Sequence, residues 1–136
     1  MKPKVYLAGS VFETKYRQYC HDIYGTRIDF LDPIKENGVI IHPEVEVILK
    51  RPERKEIVEK DKSLIFQSDY VVACINRLSF GTIMECMLAF DNNIKLYLIT
   101  NQSTKYERDV WLGYHIDEYF YDIDKCMNVI LKEWYN

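Results

Sequence analysis

Ser68-Asp69-Tyr70-Val71-Val72-Ala73-Cys74-Ile75-Asn76-Arg77-Leu78-Ser79-Phe80-Gly81-Thr82-Ile83-Met84-Glu85 reads as a buried strand, a short polar loop and the first turn of a helix that carries a carboxylate. The near-continuous apolar run from Tyr70 to Ile75 is what a strand covered on both faces requires. In an open parallel sheet, ligands bind in the crevice at the carboxyl ends of the strands. Glu85 stands just past such an end and is therefore a candidate reactive group. It has a second reading, because Thr82-Ile83-Met84-Glu85 also fits a capping box, in which Thr82 caps the helix and Glu85 reaches back to its amide.

Working outward, Val5-Tyr6-Leu7-Ala8-Gly9-Ser10 is an apolar run ending in a Gly-Ser turn, the pattern of a first parallel strand over residues 4 to 9. A helix is expected from Glu13 to Tyr24, opened by a possible Ser10-x-x-Glu13 capping box and ended by Gly25. Ile28 to Leu31 reads as a second strand closed by Asp32-Pro33. Residues 34 to 51 hold two extended-looking runs, Val39-Ile40-Ile41 and Val45-Glu46-Val47-Ile48-Leu49, broken by Pro43 and Pro52, and read as a long loop with some strand character. Pro52 suits a first helical turn, and Glu53 to Gln67 has helical spacing, with Asp61 at the border of its apolar face. Further helices are expected over Gly81 to Asp91 and Asp122 to Trp134, and strands over Ile94 to Ile99 and His115 to Tyr121.

Strand and helix alternate throughout, which predicts an α/β fold with a parallel sheet, because parallel neighbours need crossover helices. The expectation is one domain over residues 1 to 136, a flavodoxin-like, doubly wound, five-stranded sheet in the order 2-1-3-4-5. In that order strands one and three adjoin at the reversal point, so the Gly9 turn and the Asn76 to Thr82 loop flank one crevice.

A net charge of -3, with 18 Lys and Arg against 21 Asp and Glu, argues against a polyanion-binding surface and hence against nucleic acid as a partner. No apolar run approaches the roughly 20 residues of a membrane span, and no apolar signal segment opens the chain, so a soluble cytoplasmic protein is expected. Cys20, Cys74, Cys86 and Cys126 form no C-x-x-C pair and read as buried free thiols. With His21, His42 and His115 equally dispersed, neither a metal nor another cofactor is inferred.

A carboxylate with no metal, histidine or lysine nearby in sequence can act as a nucleophile at a sugar carbon, where the transition state is cationic. The leaving group then needs a proton or a hydrogen bond, which a second carboxylic acid such as Asp61 can supply. Three pieces carry a resemblance: Val5-Tyr6-Leu7-Ala8-Gly9-Ser10, then Asp61-x-x-x-Ile65-x-x-x-Asp69-x-Val71-Val72-Ala73, then Ser79-x-Gly81-Thr82-x-x-Glu85-x-x-x-Ala89. Over roughly residues 4 to 90 the chain resembles the nucleoside 2-deoxyribosyltransferase family and the related nucleoside 5′-monophosphate N-glycosidases.

The resemblance implies a nucleoside or nucleotide substrate, with Glu85 as the glycosyl-accepting nucleophile, Tyr6 as a hydroxyl that orients it and Asp61 as the group engaging the base. Gly9, Ser10, Ser79, Gly81 and Thr82 are the expected substrate-binding positions, although Gly9 and Gly81 serve equally as turn glycines. Transferases of the family commonly have Asp where this chain has Ser79. A serine with loop amides at a helix N-terminus suits a 5′-phosphate, whereas Asp would repel it. Met87 replaces a common family glycine. The resemblance also implies a homodimer or higher homo-oligomer, for which Tyr119-Phe120-Tyr121 and Trp134-Tyr135 offer an aromatic patch. The rival reading is a noncatalytic nucleotide sensor on the same fold, with Glu85 only capping its helix.

Overall fold

In a computed structural model describing residues 1–10, 13–34 and 49–136, alternation along the first strand, β1 (Lys4–Gly9), sets the layers. Val5 and Leu7 enter one buried cluster, Tyr6 and Ala8 the other, as the two-residue period of a strand dictates. The first cluster is filled by Tyr16, Cys20 and Tyr24 of α1 (Thr14–Tyr24) and by Cys126, Met127 and Ile130 of α6 (Ile123–Tyr135). The second is filled by Ile65 of α2 (Arg51–Gln67) and by Cys86 and Ala89 of α3 (Phe80–Asp91). Each wholly buried aliphatic side chain contributes about 1.5–3 kcal/mol relative to exposure, so the sheet is held by both helical layers.

The remaining strands are β2 (Asp29–Leu31), β3 (Tyr70–Cys74), β4 (Lys95–Ile99) and β5 (Glu118–Phe120). All pairings are parallel and the order is β2-β1-β3-β4-β5, the doubly wound, flavodoxin-like arrangement expected from the sequence. Tyr6 pairs with Val71 and Gly9 with Cys74, so β1 and β3 end level at the reversal point. Two short helices, α4 (Ser103–Glu107) and α5 (Val110–His115), precede β5.

Several boundaries differ from expectation, each for a local reason. The N-cap of α1 is Glu13 rather than Ser10, without a side-chain cap bond, and the Glu13 amide donates to the Ser10 carbonyl. The helix α3 begins at Phe80 because Ser79, not Thr82, is its cap and accepts from the Thr82 amide. His115 ends a helix rather than opening a strand, because Asp109 caps α5 through the Leu112 amide. Most of the expected long loop, residues 35–48, lies outside the described residues.

All four cysteines are buried free thiols. Phe120 completes the core and Trp134 donates to the Met1 carbonyl, while Tyr121 and Tyr135 are exposed. Among the described residues no helix is long and apolar enough to cross a membrane.

Candidate active site

Tyr6 points from β1 into the layer occupied by α2 and α3, and its hydroxyl donates to Glu85 Oε2 across 79 residues of sequence. Glu85 lies on the second turn of α3 because Ser79 starts that helix, and its carboxylate is thereby released from any capping duty. Burial pushes the Glu85 carboxyl up from 4.5 to about 7. The Tyr6 hydrogen bond opposes that rise, the Asp61 charge adds to it and the Arg17 charge opposes it. Tyr6 is held far above the ordinary phenol value, by burial first and then by the charge and hydrogen bond of Glu85. It therefore stays a hydroxyl donor.

A cleft of about 410 Å³ runs between α2 and α3, lined by Asp61, Ile65, Gly81, Met84 and Glu85 among others. That volume lies in the range of small-molecule pockets. The structure thus brings Tyr6, Asp61 and Glu85 together, with Gly81 at the wall. A slightly larger cavity of about 470 Å³ lies on the other side of α3, lined by Ile83, Cys86, Trp111 and His115 among others. None of the three expected catalytic residues lines it. Cys86, next to Glu85 in sequence, has its thiol pushed up to about 12 by burial and by the Glu85 charge, so it remains protonated rather than nucleophilic.

The expected binding residues divide. Gly9 has φ +151, and a Cβ there would stand 3.1 Å from the Cys74 carbonyl oxygen, so glycine is required where the two strand ends meet. At Gly81 a Cβ would meet nothing within 4 Å, which leaves that turn open to the cleft. The Ser79 hydroxyl is occupied at 3.4 Å as acceptor for the Thr82 amide, and Thr82 is buried with no hydrogen-bond partner for its own Oγ1 among the described residues. Ser10 follows the last residue of β1 at the same end of the sheet. Cross-bonds stiffen the loop leading to Ser79: the Asn101 amide donates to Asn76 Oδ1 at 2.9 Å, and Thr100 Oγ1 donates to the Ile75 carbonyl at 2.6 Å. Among the described residues no group of three His, Cys, Asp or Glu side chains could hold a metal ion.

Sequence reasoning passed over Arg17. It is 4% exposed, donates through Nη2 to the Gly9 carbonyl at 2.9 Å, and places Nε 3.5 Å from Asp32 Oδ1. The signal was available, since Arg17 sits between Tyr16 and Cys20 on the buried face of α1, where an arginine is rarely kept without a task.

No family model matches the sequence, and no curated protein matches it. Among solved structures, the chain is similar to a 2-deoxyribosyltransferase from the psychrotolerant bacterium Bacillus psychrosaccharolyticus, with TM-score 0.68 and 22% identity over 92% of this chain and 90% of that one. The fold is shared with that transferase. A conserved protein from Enterococcus faecalis V583 has the same fold, with TM-score 0.70 and 17% identity over 98% of this chain and 99% of that one. At these identities the likeness is one of architecture, and the chemistry has to be argued from this chain's own residues.

Proposed function

We propose that the protein is an enzyme that breaks the N-glycosidic bond of a (deoxy)nucleoside or its 5′-monophosphate through a covalent glycosyl-Glu85 intermediate. The observation that carries this reading is the Tyr6 hydroxyl on a half-buried Glu85 carboxyl whose pKa is raised to about 7, beside Asp61 in a cleft. The fold shared with a 2-deoxyribosyltransferase supports it. Ser79, not Glu85, caps α3, so capping does not account for Glu85, and this supports the enzyme over the noncatalytic sensor.

In the proposed reaction the Glu85 carboxylate attacks the anomeric carbon from the face opposite the base. The carbon-nitrogen bond electrons leave with the base, and Asp61 in its protonated form supplies the proton or hydrogen bond the base needs, ending as a carboxylate or staying paired with the base as Glu85 forms the ester. Tyr6 holds the attacking carboxylate and stays protonated. A second base then attacks the glycosyl ester and regenerates Glu85, or water does so in a hydrolysis. The decisive experiment incubates the protein with deoxynucleosides and their 5′-monophosphates, with and without a free acceptor base. Free base released from any substrate by the wild type, and lost in Glu85→Gln, supports the reading; no release from any of them refutes it.

Met84, at the wall of the cleft, and Leu78 and Phe80, in the loop and first turn that lead to it, are exposed large apolar side chains. Such apolar surface, together with the exposed Tyr121 and Tyr135 of the aromatic patch, supports a homodimer or higher homo-oligomer. Sedimentation of a fully active monomer refutes it.

A further inference from the structure

The second cavity, of about 470 Å³, is larger than the Glu85 cleft and lies in the range of small-molecule sites. One wall is aromatic. Trp111 and His115 of α5 both line it, with their rings 14° from parallel and centroids 6.5 Å apart. Phe90 and Tyr114 meet the His115 ring edge to face, with centroids at 4.5 and 5.0 Å, and His115 Nδ1 donates to the Trp111 carbonyl at 2.6 Å. That bond places the proton of the neutral imidazole on Nδ1 and leaves Nε2 as an acceptor. Trp111 is 79% exposed, so a flat apolar ring is held open on a braced wall, where a planar ligand can stack. Lys105 supplies donors at the same cavity, and Asp109 supplies an acceptor beyond the Oδ1 that caps α5 through the Leu112 amide at 2.8 Å. Their opposite charges favour an uncharged ligand over an anion. A planar ring system carrying both N–H donors and ring-nitrogen or carbonyl acceptors pairs with these three polar groups, whereas a purely apolar occupant would desolvate them without a partner.

We propose that this cavity is a second binding site, for a free purine base or a nitrogen heteroaromatic of the same donor and acceptor pattern, stacked on Trp111. Ile83 and Met87 line both this cavity and the Glu85 cleft, and Cys86, next to Glu85 in sequence, lines this one. The helix α3 is therefore a wall common to both, and a base seated behind it acts on the carboxylate that α3 carries into the cleft. Binding rests on the cavity's own residues; its effect on turnover rests on the function proposed above, in which a base is the leaving group.

Adenine is the probe, added to the protein in its native assembly. The chain has two tryptophans, and Trp134 lies on α6 with Nε1 bonded to the Met1 carbonyl, so Trp134→Phe leaves Trp111 as the reporter. Adenine should quench its emission saturably. Lys105→Met should raise the half-saturating concentration about tenfold, and His115→Phe, which keeps an aromatic ring, severalfold. Asp61→Asn, which changes only the cleft, should leave it as it is. Equilibrium dialysis with labelled adenine should count one site fewer per chain in Trp111→Ala than in the wild type. Adenine should also change kcat for base release from deoxynucleosides about twofold or more beyond its effect on Trp111→Ala, where only the cleft responds to it. Absence of quenching at the solubility limit of adenine, or half-saturation alike in all variants, overturns the proposal. So does a Trp111 shielded from iodide as well as from adenine, which would put a second copy of the chain on this face. An adenine effect on kcat that is equal in wild type and Trp111→Ala overturns the link to Glu85. Saturable binding at Trp111 in a protein with no glycosidic activity would uphold the cavity and refute the proposed function alone.

Discussion

Replacing Glu85 by Gln should make the protein inactive and, at alkaline pH, more stable. The carboxyl is raised from 4.5 in the unfolded chain to about 7 in the fold, so the native state binds its proton more tightly. The stability this contributes is fully present below pH 4.5 and is lost as the pH rises through 7. At about 1.4 kcal/mol per pH unit, the gap between those two values makes ionised Glu85 cost about 3 kcal/mol at pH 8.5. Glutamine cannot ionise, and its side-chain oxygen still accepts from Tyr6, so Glu85→Gln should recover most of that cost. The gain should shrink to less than about 1 kcal/mol at pH 5, which lies only about half a pH unit above the unfolded-state value while the native carboxyl is still protonated. Urea unfolding of both proteins at pH 5, 7 and 8.5, at constant ionic strength, measures it. A difference that is independent of pH, or a variant less stable than wild type at pH 8.5, would refute the claim that burial governs this carboxyl. A natural sequence that keeps a residue at a stability cost is also what a reactive site would require.

Three further outcomes are expected. Tyr6→Phe removes a hydrogen bond to Glu85 that opposes the effect of burial, so the acid limb of kcat/KM should move to higher pH while thermal unfolding shows a loss of about 1 kcal/mol. Asp61→Asn takes away a charge that raises the Glu85 pKa, so the acid limb should move to lower pH even as kcat falls, and substrates whose base leaves without protonation should be much less affected. Ser79→Asp should keep the helix cap, since Asp is as good an N-cap as Ser, while turning any preference for a 5′-monophosphate over the nucleoside against the phosphate; kcat/KM for the two substrates in both proteins measures this, and equal values for both substrates in the wild type would exclude a phosphate subsite.

Much of the fold was legible because it is written in local periods. The apolar runs at Val5 to Ala8, Tyr70 to Ile75 and Leu96 to Ile99, spaced by helix-length segments, already require a parallel sheet with crossover helices, and the structure orders them as expected. The candidate nucleophile was legible too, because Glu85 follows a strand end at a fixed distance in sequence. Its partnership was not. Ser79 and Thr82 both satisfy the local chemistry of an N-cap, and only the length and bracing of the loop from β3, through Asn76 and Asn101, decides that Ser79 caps α3. That choice turns Glu85 away from the helix terminus and toward Tyr6. Arg17 shows the same limit more strongly: an arginine one residue from a buried tyrosine is only an anomaly in the sequence. Its meaning comes from the Gly9 carbonyl and Asp32, which the sheet brings to it. Periodicity is a property of neighbours along the chain, whereas the proton affinity of Glu85 is set by burial, by the Tyr6 hydrogen bond from β1 and by charges from α1 and α2, which the chain brings to it only when the sheet closes.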